Sequence, residues 1–349
     1  MSHSAATDLL GFLRPTGAIT FGLSRHAKQD RGIRGLLVCT WGVLLAQGRR
    51  SSDDGTPNVW RCKVPISNKD AIEAFIEDFQ SMHESNHQPN VKCDFDGDPA
   101  VLAEVANVGG IPTLRFSYRF ADDVVSNHAD LFYCLIIAGH ELAHWANAHT
   151  KHLDKDDLDS KAIEMWADFF GSRLVLTAVA RCQKVQTIIR NMRTPAFDAE
   201  RENALLPAYG EALRRVYDRV FAPASASPKY PSAIERVQIC GAGVTSFFYR
   251  HLGKMHQGMT VLALRRVILE PFADIADLFS GDIDLEESGA LAFRNIEIHL
   301  GLKKGRPLIT PGILPQFNQL VGTHYLGHSE NMAHREQLRE KVRAWGVKI

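Results

Sequence analysis

The stretch "LFYCLIIAGHELAHWANAH" (Leu131–His149), followed by "KAIEMWADFFGSRLVL" (Lys161–Leu176), decides how the rest of this chain is to be read. Its first half is apolar or small from Leu131 to Gly139, which predicts a buried helix running from about Asp130 to His149. That helix carries His140-Glu141-Leu142-Ala143-His144, an H-E-x-x-H sequence. Four helical residues turn by ~400°, so His140 and His144 project from nearly the same face, one turn apart. Two imidazoles so placed can hold one zinc ion at ~2.0–2.1 Å each. Glu141 is turned to the side of that face, where it can take a proton from a water activated by the metal rather than bind the metal itself.

A buried helix bearing two histidines and a glutamate needs partners for them. The second half of the stretch supplies two. A helix from about Leu158 to Val179 places Glu164 where an antiparallel return brings it to the same metal as third ligand. Asp168, one turn beyond, faces the same way and can accept the free ring N–H of a ligating histidine, fixing its tautomer. His149 is a different case. If the first helix continues, five residues turn by ~500° and leave His149 ~140° from the ligand face. The longer metzincin pattern also needs a glycine and a ligand where Asn147 and Thr150 stand. His149 is therefore expected to cap the helix end or bond within the core, not to ligate.

Outward from this centre the pattern is asymmetric. Before Phe120, "AITFGL" (18–23), "GLLVCTWGVLLA" (35–46), "VWRCKVPI" (59–66) and "TLRFSYRF" (113–120) read as strands. A helix from about Lys69 to Ser81 interrupts them, with Ile72, Phe75, Ile76 and Phe79 at helical spacing. In "TLRFSYRF" the residues Leu114, Phe116, Tyr118 and Phe120 alternate with polar ones, which predicts a half-buried strand through Phe120. After Phe120 helices dominate, over about Asp198–Phe221, Ser232–His251, Met259–Ser280, Glu286–Leu300 and Ser329–Trp345. The links "KHLDKDD", "APASASPKYP" and "KKGRPLITPGILP" separate them. The expected organisation is a mixed α/β part (1–125), a catalytic core (126–256) and a helical C-terminal part (257–349).

Lys plus Arg (40) balances Asp plus Glu (40) in 349 residues, so no whole-chain field points to nucleic acid or to an anionic membrane. The longest apolar stretches fall short of the ~20 residues that span a bilayer. The opening "MSHSAATDLLGFLRP" lacks the basic and apolar regions of a secretion signal. Six scattered cysteines without a C-x-x-C pair fit reduced thiols. A cytoplasmic protein is expected.

"HELAHWANAH", "EMWAD" and "KYPSAIERV" together resemble the Glu-zincin peptidases, in particular the Lit-type phage-exclusion peptidases and, more distantly, the HtpX-type zinc peptidases. These families show H-E-x-x-H-x-x-x-x-H, then E-x-x-A-D, then a His-Pro segment ending in Glu-Arg or Arg. The three ordered motifs span about Leu131 to Val237, less than a third of the chain. The resemblance implies an α+β zincin-like metallopeptidase, with zinc on His140, His144 and Glu164, catalysis by Glu141 and support from Asp168. His149 takes the place of the extra family histidine. Tyr230 stands where the family has histidine, before Pro231 and Arg236, so an oxyanion-stabilising role is implied for Tyr230 or Arg236. Lit-type proteins are implied to cleave elongation factor Tu, which makes that factor a substrate by analogy.

Other signals are weaker. "CDFDGDP" (Asp94, Asp96, Asp98) lacks the distal glutamate of a calcium loop and reads as a solvated turn. His324 and His328 lack an acidic or thiolate companion. G-x-S-x-G is absent. The expected activity is zinc-dependent peptide hydrolysis, with "TLRFSYRF" as an edge strand that an extended substrate could join. The rival readings are a repressor-cleaving regulatory peptidase and a catalytically silent zinc-braced interaction module. Glu141 speaks against the latter, because a purely structural zinc site needs no base.

Overall fold

In the computed structural model the described residues are 65–153, 156–192, 205–252, 257–275, 278, 285–325 and the single positions 333, 336, 340 and 343. The strands expected at 18–23 and 35–46, most of that at 59–66, the start of the 198–221 helix and nearly all of the 329–345 helix lie outside them.

β1 (Ile66–Ser67) leads into α1 (Asn68–Ser81) through a reciprocal cap: the Asp70 N–H donates to the Ser67 hydroxyl (3.2 Å) and the Ser67 N–H to the Asp70 carboxylate (2.8 Å). The helix buries the expected stripe of Ile72, Phe75, Ile76 and Phe79. Three strands follow, β2 (Lys92–Gly97), β3 (Ala103–Val108) and β4 (Ile111–Ser117). β3 and β4 form a hairpin whose turn residues Gly109 and Gly110 have φ of 58° and 84°, a conformation that glycine adopts without steric cost.

The sheet order is β2-β4-β3, with β4 parallel to β2 and antiparallel to β3. This corrects two expectations for "TLRFSYRF". The strand is central, so its backbone is paired on both sides and cannot receive a substrate strand. It also stops at Ser117, whose hydroxyl accepts the Phe120 N–H (3.3 Å) and starts α2 (Tyr118–Asp122). Tyr118 is consequently exposed rather than part of the buried face. The capping propensity of serine overrides the period-2 pattern there. β5 (Val124–Val125) then pairs antiparallel with β1.

α3 (His128–Ala146) starts with another reciprocal cap, between Asn127 and Asp130 (2.9 and 3.2 Å), and buries its apolar run. α4 (Asp157–Arg181) is capped by Asp156. Next come α5 (Gln183–Asn191), α6 (Leu205–Val216), α7 (Ala233–Leu252) and α8 (Gln257–Leu264). α9 (Leu285–Lys303) and α10 (Pro315–Val321) follow. The helix expected to run from Met259 to Ser280 is instead interrupted: α8 widens through Arg265–Leu269 and gives way to turns at Pro271, which lacks the N–H a helix needs.

α4 is the axis of the helical body, with α3, α7 and α9 packed around it. Glycines let α3, α4 and α7 touch. A β-carbon on Gly171 of α4 would lie 2.7 Å from the Gly139 carbonyl oxygen of α3, and one on Gly243 of α7 would lie 2.4 Å from the Phe169 carbonyl oxygen of α4. The core around them is aromatic and fully enclosed, including Phe132, Phe169, Phe170, Tyr209 and Phe247. Each such ring contributes roughly 1.5–3 kcal/mol on burial. The result is a mixed α+β chain with small sheets and a mostly helical body. Among the described residues no helix is long and apolar enough to cross a membrane.

Candidate metal centre

The Gly139–Gly171 contact sets the site, because it brings the last two turns of α3 against the first half of α4. His140 and His144 then face Glu164. The Nε2 atoms of the two imidazoles are 3.0 Å apart, His140 Nε2 lies 3.3 Å from Glu164 Oε2, and His144 Nε2 lies 3.5 Å from Glu164 Oε1. Among the described residues these three form the one group whose donor atoms converge closely enough to hold a metal ion.

Asp168 lies one turn past Glu164 and meets the far side of His140, with Nδ1 to Oδ1 at 2.8 Å. It is itself held by Arg236 of α7, which donates from Nε to Oδ2 (2.7 Å) and from Nη2 to Oδ1 (3.0 Å). Arg236 also reaches Glu164 at 3.4 Å. Its guanidinium lies over the Phe221 ring, 4.1 Å from the centroid, and 5.5 Å from that of Tyr230. All of these charges are buried or nearly so, and each has an opposite partner.

Burial disfavours charge on His140, but the Asp168 and Glu164 carboxylates outweigh it and raise the imidazole pKa to about 10. Burial likewise pushes against charge on Glu164, and the two histidines outweigh it and hold the carboxyl well below its ordinary range. The cluster is a field that favours a cation, and a metal competes with the proton for it. Glu141 faces the same space with its pKa raised, chiefly by burial.

The ligand helix ends unusually. Asn147 closes α3, and Ala148 takes a left-handed φ of 56° before a short turn over His149–Lys151. The helix thus does not continue to His149. The turn swings that ring back, so its Nδ1 lies 2.9 Å from His144 Nδ1 while its Nε2 meets His299 Nε2 at 3.0 Å. His149 is outside the converging donor group, but it touches a member of it.

The cavity in front of these residues holds about 410 Å³. One wall is Leu102 and the first half of β3, Ala103 to Val105; another is apolar, with Ile136, Ile137, Val216, Val220 and Phe221. Tyr230 lines the cavity from the segment before α7, and the negative charge of Glu164 is the main cause of its raised pKa. His140, Glu141, His144, Glu164, Asp168 and Tyr230 are therefore all brought to one place.

Sequence reasoning missed His299 entirely and missed the pairing of His152, which lines the cavity, with Asp159 behind it (3.0 Å), a carboxylate that Arg294 of α9 also pairs with. His299 and Arg294 come from far along the chain, with no motif to mark them. The glycines in "AGHELAH" and "FFGSRL" were a usable signal, since a helical glycine often marks close packing.

Comparison with protein-family models, curated proteins and solved structures yields no match.

Proposed function

We propose that this chain is a zinc-dependent endopeptidase with a zincin-like active site, acting on a cytoplasmic protein. The observation that carries the proposal is the convergence of His140, His144 and Glu164 on one point, with the unligated carboxylate Glu141 beside an open cavity. The donor set fits zinc. A tetrahedral zinc with bonds of ~2.0–2.1 Å separates its ligand atoms by ~3.3 Å, and the three separations here are 3.0, 3.3 and 3.5 Å. Two nitrogens and a carboxylate also match zinc better than calcium or magnesium, which prefer all-oxygen sets. Three protein ligands beside a cavity leave a position for water or substrate, whereas a bracing site closes all four. That favours the catalytic reading over the silent module.

Zinc, when bound, polarises the scissile carbonyl and lowers the pKa of water toward ~7. The chain supplies the rest. Glu141 lines the cavity half-buried, and the desolvation that raises its pKa makes it more basic, suited to accept a proton from the attacking water and pass it to the leaving amine. Asp168 holds the His140 ring, and Arg236 holds Asp168. Tyr230 has a hydroxyl to donate to the developing oxyanion. β3 replaces "TLRFSYRF" as the substrate rail: it is an edge among the described residues and it lines the cavity. Elongation factor Tu is the first substrate to try, by analogy.

The test compares wild type with Glu141→Gln and Glu164→Ala. Zinc content should be about one per chain in the first two and lost in the third. New protein N-termini should arise in cells with wild type alone. A wild type that takes up zinc yet generates no new ends would leave a bracing metal and sink the peptidase reading.

A further inference from the structure

Three histidines from two distant parts of the chain form a continuous line behind the metal centre. His144 Nδ1 lies 2.9 Å from His149 Nδ1, His149 Nε2 lies 3.0 Å from His299 Nε2, and His299 Nδ1 lies 2.7 Å from the Asn295 carbonyl oxygen. Each short contact needs one hydrogen, and the last contact fixes where it is. A backbone carbonyl only accepts, so His299 Nδ1 carries a proton.

His299 is fully buried, and its ring packs on Tyr325 (centroids 4.3 Å apart) and Trp166 (5.2 Å). An imidazolium there would be stripped of water, and among the described residues its ring nitrogens meet only His149 and the Asn295 carbonyl rather than a carboxylate, so the ring is neutral. Burial accordingly pushes its pKa down to about 3. A neutral ring with hydrogen on Nδ1 has a lone pair on Nε2. His149 must then donate from Nε2, which leaves its Nδ1 as acceptor. His144 must donate from Nδ1, which leaves the lone pair of its Nε2 aimed at His140 and Glu164. Were the line to run in the opposite sense, His144 Nε2 would carry hydrogen and point it at the metal position.

We infer that His299 is a positioning residue for the metal centre: anchored on the Asn295 carbonyl, it sets the tautomer of His149 and through it presents the His144 Nε2 lone pair to the metal. His140 is set in the same sense by Asp168. The two histidine ligands are thus oriented by different devices, an anionic one for His140 and a neutral relay for His144. The relay explains why α9 is packed against α4. It also explains the left-handed Ala148, without which His149 could not turn back to His144. Tyr325 adds a second fastening by donating its hydroxyl hydrogen to the Asn147 side chain beside that turn.

The inference rests on the metal-centre reading and not on the peptidase one, so it is tested by metal affinity and ring tautomers rather than by cleavage. His299→Phe keeps an aromatic ring but removes the acceptor. His299→Gln keeps an acceptor for His149 and a donor for the Asn295 carbonyl. Zinc affinity, measured by chelator competition, should fall by ~10–100-fold in His299→Phe and be largely restored in His299→Gln. Ring-nitrogen NMR of the zinc-loaded wild type should show hydrogen on His149 Nε2 and His144 Nδ1.

Equal affinity in His299→Phe with unchanged His144 ring signals would overturn the relay. So would a glutamine variant as impaired as the phenylalanine one, since packing alone would then explain both. If His299→Phe does not fold, the wild-type spectrum decides, and hydrogen on His149 Nδ1 is the overturning result. A wild type that binds no zinc fails earlier and separately, taking the metal-centre reading with it.

Discussion

Gly171 of α4 lies so close to Gly139 of α3 that a β-carbon on Gly171 would sit 2.7 Å from the Gly139 carbonyl oxygen and 2.9 Å from the His140 nitrogen. The obstacle is helix backbone, which cannot rotate away as a side chain would. The crossing at this point brings His140 and His144 within reach of Glu164.

Gly171→Ala should therefore cost more than a surface glycine change. Overpacking of this kind costs about 1–3 kcal/mol, and the forced separation of α3 from α4 should also weaken zinc binding. Gly289 of α9 has open space around its β-carbon position, so Gly289→Ala should be neutral or stabilise by about 0.5–1 kcal/mol. Denaturant midpoints and zinc content of the two variants check this. Equal stability of both would mean the helix contact is not tight.

Asp168→Asn removes a charge held between His140 and Arg236. Zinc affinity should drop by ~10–100-fold, because His140 loses its anionic orienting partner. Stability should fall as well, by about 3–5 kcal/mol, since a buried Arg236 is left with Glu164 as its remaining acidic partner, at 3.4 Å. Urea unfolding of the metal-free protein isolates the second effect from the first. Unchanged stability would show that Arg236 finds another partner.

Tyr230→Phe deletes one hydroxyl at the cavity wall. If that hydroxyl stabilises the oxyanion, kcat should fall by about 10²–10³ while zinc content and stability stay unchanged. A near-normal kcat would pass the role to Arg236, or to His152 with its Asp159 partner.

Acid should destabilise the protein partly through His299. Its pKa is pushed down by burial to about 3 in the folded state, against ~6.5 when unfolded. The unfolded chain therefore binds a proton that the folded one refuses. Stability from this group is complete above about pH 6.5 and is lost progressively as pH falls toward 3, by about 1.4 kcal/mol per pH unit within that window. His299→Gln abolishes the titration, so the slope of unfolding free energy against pH should decrease by one proton between about pH 6 and about pH 5. Parallel slopes for variant and wild type would mean that His299 does not stay neutral.

Much of this centre was legible because helical geometry is local. The i, i+4 spacing of His140 and His144 places both rings on one face, and the same spacing of Glu164 and Asp168 does so on the next helix. Those four residues needed only an antiparallel return to meet. The strand reading of "TLRFSYRF" erred for a related reason. Alternation shows that a segment is half-buried, but not whether it lies at the edge or the centre of a sheet, and a serine cap ended the strand early.

Local sequence specifies the elements and the faces they present: the buried helix of Leu131–Gly139, the pair His140 and His144, and the acids of "EMWAD". These follow from bonds and periodicities within a few residues. Tertiary structure alone decided which atoms oppose one another across long loops. It placed Arg236 on Asp168, chose β3 as the cavity wall and brought His299 to His149 across the fold. It also turned the chain at Ala148, where an ordinary alanine adopts a left-handed conformation that no local preference predicts. Such a conformation is costly in isolation and persists because the packing around Asn147, His149 and Tyr325 outweighs its cost.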